Sequence, residues 1–153
     1  MKKKSNGKPV ATADGAGNLQ FAAFPYQVDR QGIVRVLLVT SRETGRWIIP
    51  KGWPMEGKLP HEAAAIEAFE EAGVVGEPIT STIGAYEYWK RWRSADTLCR
   101  VEVYPLPIER LEPHWLEDAE RERQFFDLET AASLVEEPSL KRLIAAFRIP
   151  EGP

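Results

Sequence analysis

The stretch PKGWPMEGKLPHEAAAIEAFEEAGVVGE, residues 50–77, sets three glutamates, Glu67, Glu70 and Glu71, within five residues. Gly52, Pro54 and Gly57 punctuate a loop ahead of them over residues 51–59. Pro60 then suits the first turn of a helix and Gly73 its C-terminal cap, although Leu59 is a poor N-cap. Ala65, Ala68, Phe69 and Ala72 fall at i, i+3, i+4 and i+7, so the helix is expected to pack on this stripe and turn its glutamates outward. Like charges at i,i+4 destabilise a helix unless something positive sits between them. A solvated acidic face is one reading. The sharper one is a hard-cation site, because Mg²⁺ or Mn²⁺ takes carboxylate oxygens and keeps waters for substrate phosphates.

Outward from this helix the text reads as strands. Gln20–Val28 and Val34–Thr40 are apolar, β-branched and aromatic, and Trp47–Ile49 is a short third strand stopped by Pro50. After Pro78, Thr82–Trp89 and Leu98–Leu106 are strand-like, with a basic turn, KRWRSAD, between them. Residues 109–122 read as an acidic loop and Gln124–Phe126 as a short strand. Asp127 can cap a helix over roughly 128–136, and Ser139 can cap another whose stripe is Leu140, Leu143, Ile144 and Phe147. The order β-β-β-α-β-β-β-α-α implies an α/β fold, a mixed sheet with helices on its faces.

Residues 50–74 resemble the Nudix box, G-x5-E-x7-R-E-U-x-E-E-x-G-U, where U is bulky and apolar. Gly52, Glu67, Glu70, Glu71, Gly73 and Val74 stand on its fixed positions without a gap, and Ala68 takes the first U. The flanking segments SRETGRWIIPKG and RERQFFDLETAASLV are similar to the diphosphoinositol polyphosphate and diadenosine polyphosphate hydrolases of that superfamily. The resemblance covers roughly residues 20–147. It implies a Nudix α/β/α sandwich with its box at 50–73, and hydrolysis of a pyrophosphate bond in a nucleoside polyphosphate or inositol pyrophosphate. It also implies that Glu67, Glu70 and Glu71 are both catalytic and metal-binding, with Mg²⁺ or Mn²⁺ as cofactor. Two positions depart from the box: Lys58 stands for its first Glu and Ile66 for its Arg. That arginine braces the glutamates in the family, so here the brace is expected to be missing or supplied by another residue.

A polyphosphate needs cations around the metal, and forked guanidinium groups suit it. The substrate-binding candidates are Arg42, Arg46, Lys51, Gly52 and Arg91, with Arg42 and Arg91 at basic positions of the family. Lys90, Arg93, Arg121 and Arg123 are further cations in nearby segments, each weighed against an ordinary surface charge. Tyr86, Tyr88, Trp89 and Trp92 could stack on a base or pack in the sheet, and Trp47 and Trp53 could line the pocket or lie beneath it. His61 and His114 have no partner at metal-ligand spacing and read as surface residues.

Composition bounds the rest. At 153 residues, 43% hydrophobic and 28% charged, the chain reads as a basic arm over 1–17 and one domain over 18–150. A net charge of −3 argues against nucleic acid as a partner and for a small phosphate compound. No apolar run is long enough to span a membrane. The opening MKKKSNGK lacks the apolar run of a signal peptide after it, and the single cysteine, Cys99, fits a reducing, cytoplasmic setting as a buried hydrophobe. A monomer or a homodimer is expected. Two other functions fit the residues: hydrolysis at the 5′ end of RNA, and a non-catalytic nucleotide sensor weakened by Lys58 and Ile66.

Overall fold

The strand Leu19–Val28 (β1) is buried on both faces over most of its length, and the fold is built around it. A computed structural model describes residues 18–92 and 95–151. The expected arm over 1–17 and Arg93 lie outside these residues, as does the side chain of Trp92. Alternate residues of β1 enter two separate cores, as a period of two requires. Phe21 and Ala23 face one, and Ala22 and Phe24 the other.

β1 is flanked by Val34–Thr40 (β2), antiparallel, and by Ala95–Pro107 (β7), parallel. Trp47–Ile48 (β3) extends the sheet beyond β2, and Gly84–Trp92 (β6) extends it beyond β7. Lys51–Gly52 (β4) pairs with β1, where an open loop was expected, and Arg123–Asp127 (β9) pairs with β2. The helix Pro60–Ala72 (α1) covers the core that contains Phe21, Leu37, Val39 and Leu106. Leu128–Leu134 (α2) and Pro138–Ala145 (α3) cover the other, against Phe24, Val36 and Leu38. The result is the expected α/β/α sandwich around a mixed sheet. Val74–Val75 (β5) and Arg110–Leu111 (β8) form a small second ladder, so residues 109–122 are not wholly loop.

Three expectations are corrected. β6 and β7 extend into the supposed basic turn from either side: Lys90 and Arg91 are strand residues paired with Thr97 and Asp96. Helix α3 is capped at Glu137 ahead of a proline, while Ser139 Oγ accepts a bond from the Glu87 amide. Above all, the glutamates of α1 do not all face out. Its buried arc is Ala63, Ala64, Ala68 and Ala72 together with Glu67 and Glu71, whereas Phe69 is exposed. Five alanines leave the phase of the stripe open, and the tertiary fold chose the phase that buries two carboxylates.

Candidate active site

Helix α1 presents its glutamates from a firmly held frame. At its start Glu62 Oε1 accepts from the Leu59 amide at 2.8 Å, which offsets the missing side-chain cap. At its end Gly73 adopts φ +67, a left-handed conformation that suits glycine. The last carbonyls of a helix lack intrahelical donors. Here the segment between β7 and β9, with the first residue of β9, supplies them. Glu117 N donates to Glu70 O at 3.1 Å, Trp115 Nε1 to Glu71 O at 2.8 Å, Arg123 Nη1 to Ala72 O at 2.9 Å and Glu112 N to Gly73 O at 2.8 Å. Arg123 also lies over the Trp115 ring, 3.9 Å from its centroid, so the phosphate-binding alternative for Arg123 gives way to a capping role.

A cavity of 380 Å³ opens beside this frame, and of the eight sequence-derived site residues Arg42, Arg46, Lys51, Gly52, Arg91 and Glu71 line it. Glu67 stands directly behind Gly52: a Cβ there would overlap the Glu67 carboxylate. Glu70 is half-buried at the end of the helix and does not line the cavity. Gln20, Trp53, Tyr88, Trp89, Lys90 and Arg121 complete the walls that matter chemically. In the wall itself Arg42, Arg46, Lys51, Lys90, Arg91 and Arg121 outnumber the acids Glu43 and Glu71, which suits a polyanion.

The cations are held differently. Arg46 donates to Glu137 Oε2 at 2.7 Å and is three-quarters buried, so α3 helps to fix it. Arg42 sits 3.9 Å from Glu117 and 4.0 Å from Glu120, and Arg91, 70% exposed, lies 3.5 Å from Asp96, which leaves both able to turn toward a ligand. Lys51 Nζ lies 4.9 Å above the Tyr88 ring, whose hydroxyl donates to Gln20. Burial pushes the Lys51 ammonium down to about 8 from its ordinary 10.5, with Glu71 opposing the shift. Tyr86 and Tyr88 are both buried in the core, which raises them above the usual phenol range, and Tyr88 lines the cavity. Trp89 is 68% exposed at the rim. Trp53 lines the cavity, while Trp47 packs edge-on against Phe126 at 5.1 Å. His114 is on the surface beside Asp118, and His61 is half-buried near Tyr104.

Among the described residues no group of three acidic, histidine or cysteine side chains is arranged to hold a metal ion by itself. The donor set still fits a hard cation of the Mg²⁺ type. Two buried carboxylates on one arc of α1, with the β4 backbone against one of them, offer oxygen only, and Mg²⁺ commonly takes one or two carboxylates and completes its shell with water and phosphate.

Glu117 escaped the sequence reading, which took 109–122 for an acidic loop, and Arg121 was read there as one more candidate phosphate-binding cation. Glu117 and Arg121 are both buried, and Arg121 Nε donates to Glu117 Oε1 at 2.8 Å, while its Nη2 lies 3.8 Å from Glu71 Oε1. Their i,i+4 spacing was the available signal.

A profile described as NUDIX domain matches residues 19–147. The mitochondrial Nudix hydrolase 16 of Arabidopsis thaliana is 30% identical over 113 residues, 71% of this chain and 62% of that protein. Diphosphoinositol polyphosphate phosphohydrolase 3-alpha of Homo sapiens is 34% identical over 104 residues, 66% of this chain and 60% of that protein. The chain therefore spans about three fifths of the length of these relatives. Among solved structures, a C. elegans Ap4A hydrolase superposes with a TM-score of 0.60 at 15% identity, over 83% of this chain and 92% of its own. A NUDIX hydrolase from Nitrosomonas europaea superposes with a TM-score of 0.63 at 18% identity, over 84% and 86%. At such identities these likenesses speak for the fold alone. The family profile spans nearly all of the described sandwich, and the chain belongs to the NUDIX domain family.

Proposed function

We propose that this chain is a divalent-metal-dependent pyrophosphohydrolase whose substrate is a small polyphosphate, either a nucleoside polyphosphate or an inositol pyrophosphate. The observation that carries this reading is the cavity itself, where Arg42, Lys51 and Arg91 converge beside Glu71. Residues 18–150 act in this reading as one unit, and the buried single Cys99 suits a reducing, cytoplasmic setting. No helix of the described residues is long and apolar enough to cross a membrane.

Glu67, Glu70 and Glu71 would hold the cation, Mg²⁺ or Mn²⁺, which would neutralise phosphate oxygens and acidify a water. The chain's own residues do the remainder. Lys51, charged below about pH 8 and fixed over Tyr88, pairs with the phosphate nearest the glutamates. Arg42 and Arg91, on the outer wall, take the more distant phosphates through forked bonds. Arg46, pinned by Glu137, supplies fixed positive charge to the cavity floor. Gly52 leaves the space that the Glu67 carboxylate needs. Hydrolysis forms one P–O bond from water and breaks the bridging P–O bond, and a carboxylate of the α1 set receives the water's proton.

The names of the relatives suggest which compounds to try, a diphosphoinositol polyphosphate and Ap4A. Phosphate release should be followed with and without Mg²⁺ over dinucleoside polyphosphates, nucleoside diphosphate sugars, inositol pyrophosphates and 5′-triphosphorylated RNA. Metal-dependent turnover of a small polyphosphate is the expected result. Turnover of the RNA alone would favour end-processing, and tight binding without turnover a sensor; either outcome overturns the proposal.

A further inference from the structure

Helix α1 carries no lysine or arginine, so any protein cation that answers its buried carboxylates must come from elsewhere in the chain. The position one residue before Glu67 holds Ile66, which lies about 140° round the helix from Glu71 at ~100° per residue. Arg121 reaches the glutamates from the opposite side. Each of its three guanidinium nitrogens has its own neighbour: Nε donates to Glu117 Oε1 at 2.8 Å, Nη1 donates to Thr40 O at 3.0 Å, and Nη2 is 3.8 Å from Glu71 Oε1. Its side chain is 6% exposed, and those of Glu71 and Glu117 are 3% exposed.

We propose that Arg121 is the positioning residue for Glu71, and that Glu117 sets how much of its charge Glu71 receives. This rests on the metal-dependent reading above. The short bond goes to Glu117 and the long contact to Glu71. Glu71 is thereby oriented by a contact longer than a hydrogen bond while it lines the cavity. The support for Arg121 is itself rigid. Thr40, at the end of β2, donates its amide to Glu122 O at 2.9 Å and accepts the Glu122 amide on Oγ1 at 2.8 Å, so Arg121 springs from a segment tied to the sheet. Trp115 and Glu117 tie the same segment to the end of α1 through the Glu71 and Glu70 carbonyls. Helix, arginine and sheet are one mechanical unit.

The test is Mn²⁺ binding to the full chain in the absence of substrate, followed by electron paramagnetic resonance, with thermal melting as a check of folding. Arg121→Gln is expected to weaken Mn²⁺ binding by about 10–100-fold, the usual cost of removing a group that orients a metal ligand. Glu117→Gln, which retains an acceptor for Nε but frees the guanidinium's charge for Glu71, is expected to weaken it at least several-fold. Arg110→Gln, in an exposed ion pair with Glu112, is the control. A purely structural role would lower the melting temperature and leave the Kd of the folded protein as it was. Folded Arg121→Gln binding Mn²⁺ within twofold of wild type overturns the proposal, and if that variant does not fold, the same result for Glu117→Gln does so. Wild-type protein that binds no Mn²⁺ overturns both this proposal and the functional reading, whereas equal binding by all forms overturns this proposal alone.

Discussion

The two flanks of α1 share a backbone and differ in almost everything else. One flank, Glu67 and Glu71 with Ala63, Ala64, Ala68 and Ala72, is buried, and on its cavity side it meets Gly52, Lys51 and Arg121. The other, Glu62, Ala65 and Ile66, borders a separate open cavity of 320 Å³ with Lys58, His61, Glu77 and Thr80. The two cavities have no wall residue in common. Both positions at which the chain departs from the box pattern, Lys58 and Ile66, fall on the open flank. The glutamates on the buried flank are supported from β4 and from the segment before β9. A pattern read along a helix mixes two faces, and losing a residue from one face need not disarm the other.

That contrast can be broken by substitutions on each side. Apart from removing a glutamate charge itself, the largest effect is expected at Gly52. A methyl group there overlaps the tip of the Glu67 side chain, so Gly52→Ala should displace that carboxylate and cut kcat by about 10–100-fold, as for loss of an orienting contact, while the fold persists. Steady-state kinetics with a parallel melting curve checks it; unchanged kcat would remove Glu67 from the site.

Lys51 should give the next largest effect, with a definite sign in pH. Its folded value, about 8, lies below the ordinary 10.5, so the charged form that pairs with phosphate is lost as pH rises through about 8. The kcat/KM of the wild type should fall over that range. Lys51→Met should abolish the limb and cost about 10-fold at neutral pH, near the lower end of what a charged hydrogen bond contributes. The stability effect runs the other way: between about 8 and 10.5 the unfolded chain holds the extra proton, so stability from this group rises with pH. A kcat/KM limb that survives in Lys51→Met would assign it to another group.

A smaller effect is expected on the outer wall. Arg42 and Arg91 are 44% and 70% exposed, so solvent screens them, and replacing either with Ala should raise KM by roughly 2–5-fold. The rise should be larger for longer polyphosphates than for short ones. Equal effects across chain length would mean that neither arginine reads the distant phosphates.

The smallest effect belongs to the open flank. Restoring the box pattern with Lys58→Glu and Ile66→Arg together should change kcat by less than about 2-fold, because these side chains border the other cavity. A large gain would show that the two flanks communicate and that the glutamates lack support after all.

Much of this was legible in the sequence. The central strands, the span of α1 between Pro60 and Gly73, and the aspartate cap of α2 follow from local chemistry, and Asp127 does accept from the Thr130 amide at 2.7 Å. Arg42, Arg46 and Lys51 of the cavity were legible too, because they stand close to the loop in sequence. What was not legible depended on distant partners. The burial of Glu67 and Glu71 could not be inferred from an alanine-rich helix, since a carboxylate is normally left in water unless paired. Its answering group, Arg121, lies 50 residues from Glu71 and is brought there by the pairing of β9 with β2. Lys90 and Arg91 were misplaced in a turn because polar text resembles a turn until its cross-strand partners are known.

The buried flank is tested most directly by Glu71→Gln, an isosteric change that keeps the shape and removes the charge. Turnover of a small polyphosphate should be measured at saturating Mg²⁺ for this variant, with folding checked by melting. The account predicts a fall in kcat beyond the ~100-fold typical of an orienting contact, in a protein that still folds. A folded Glu71→Gln variant that turns over at the wild-type rate would contradict it, and the chemistry would have to lie elsewhere than on the buried flank of α1.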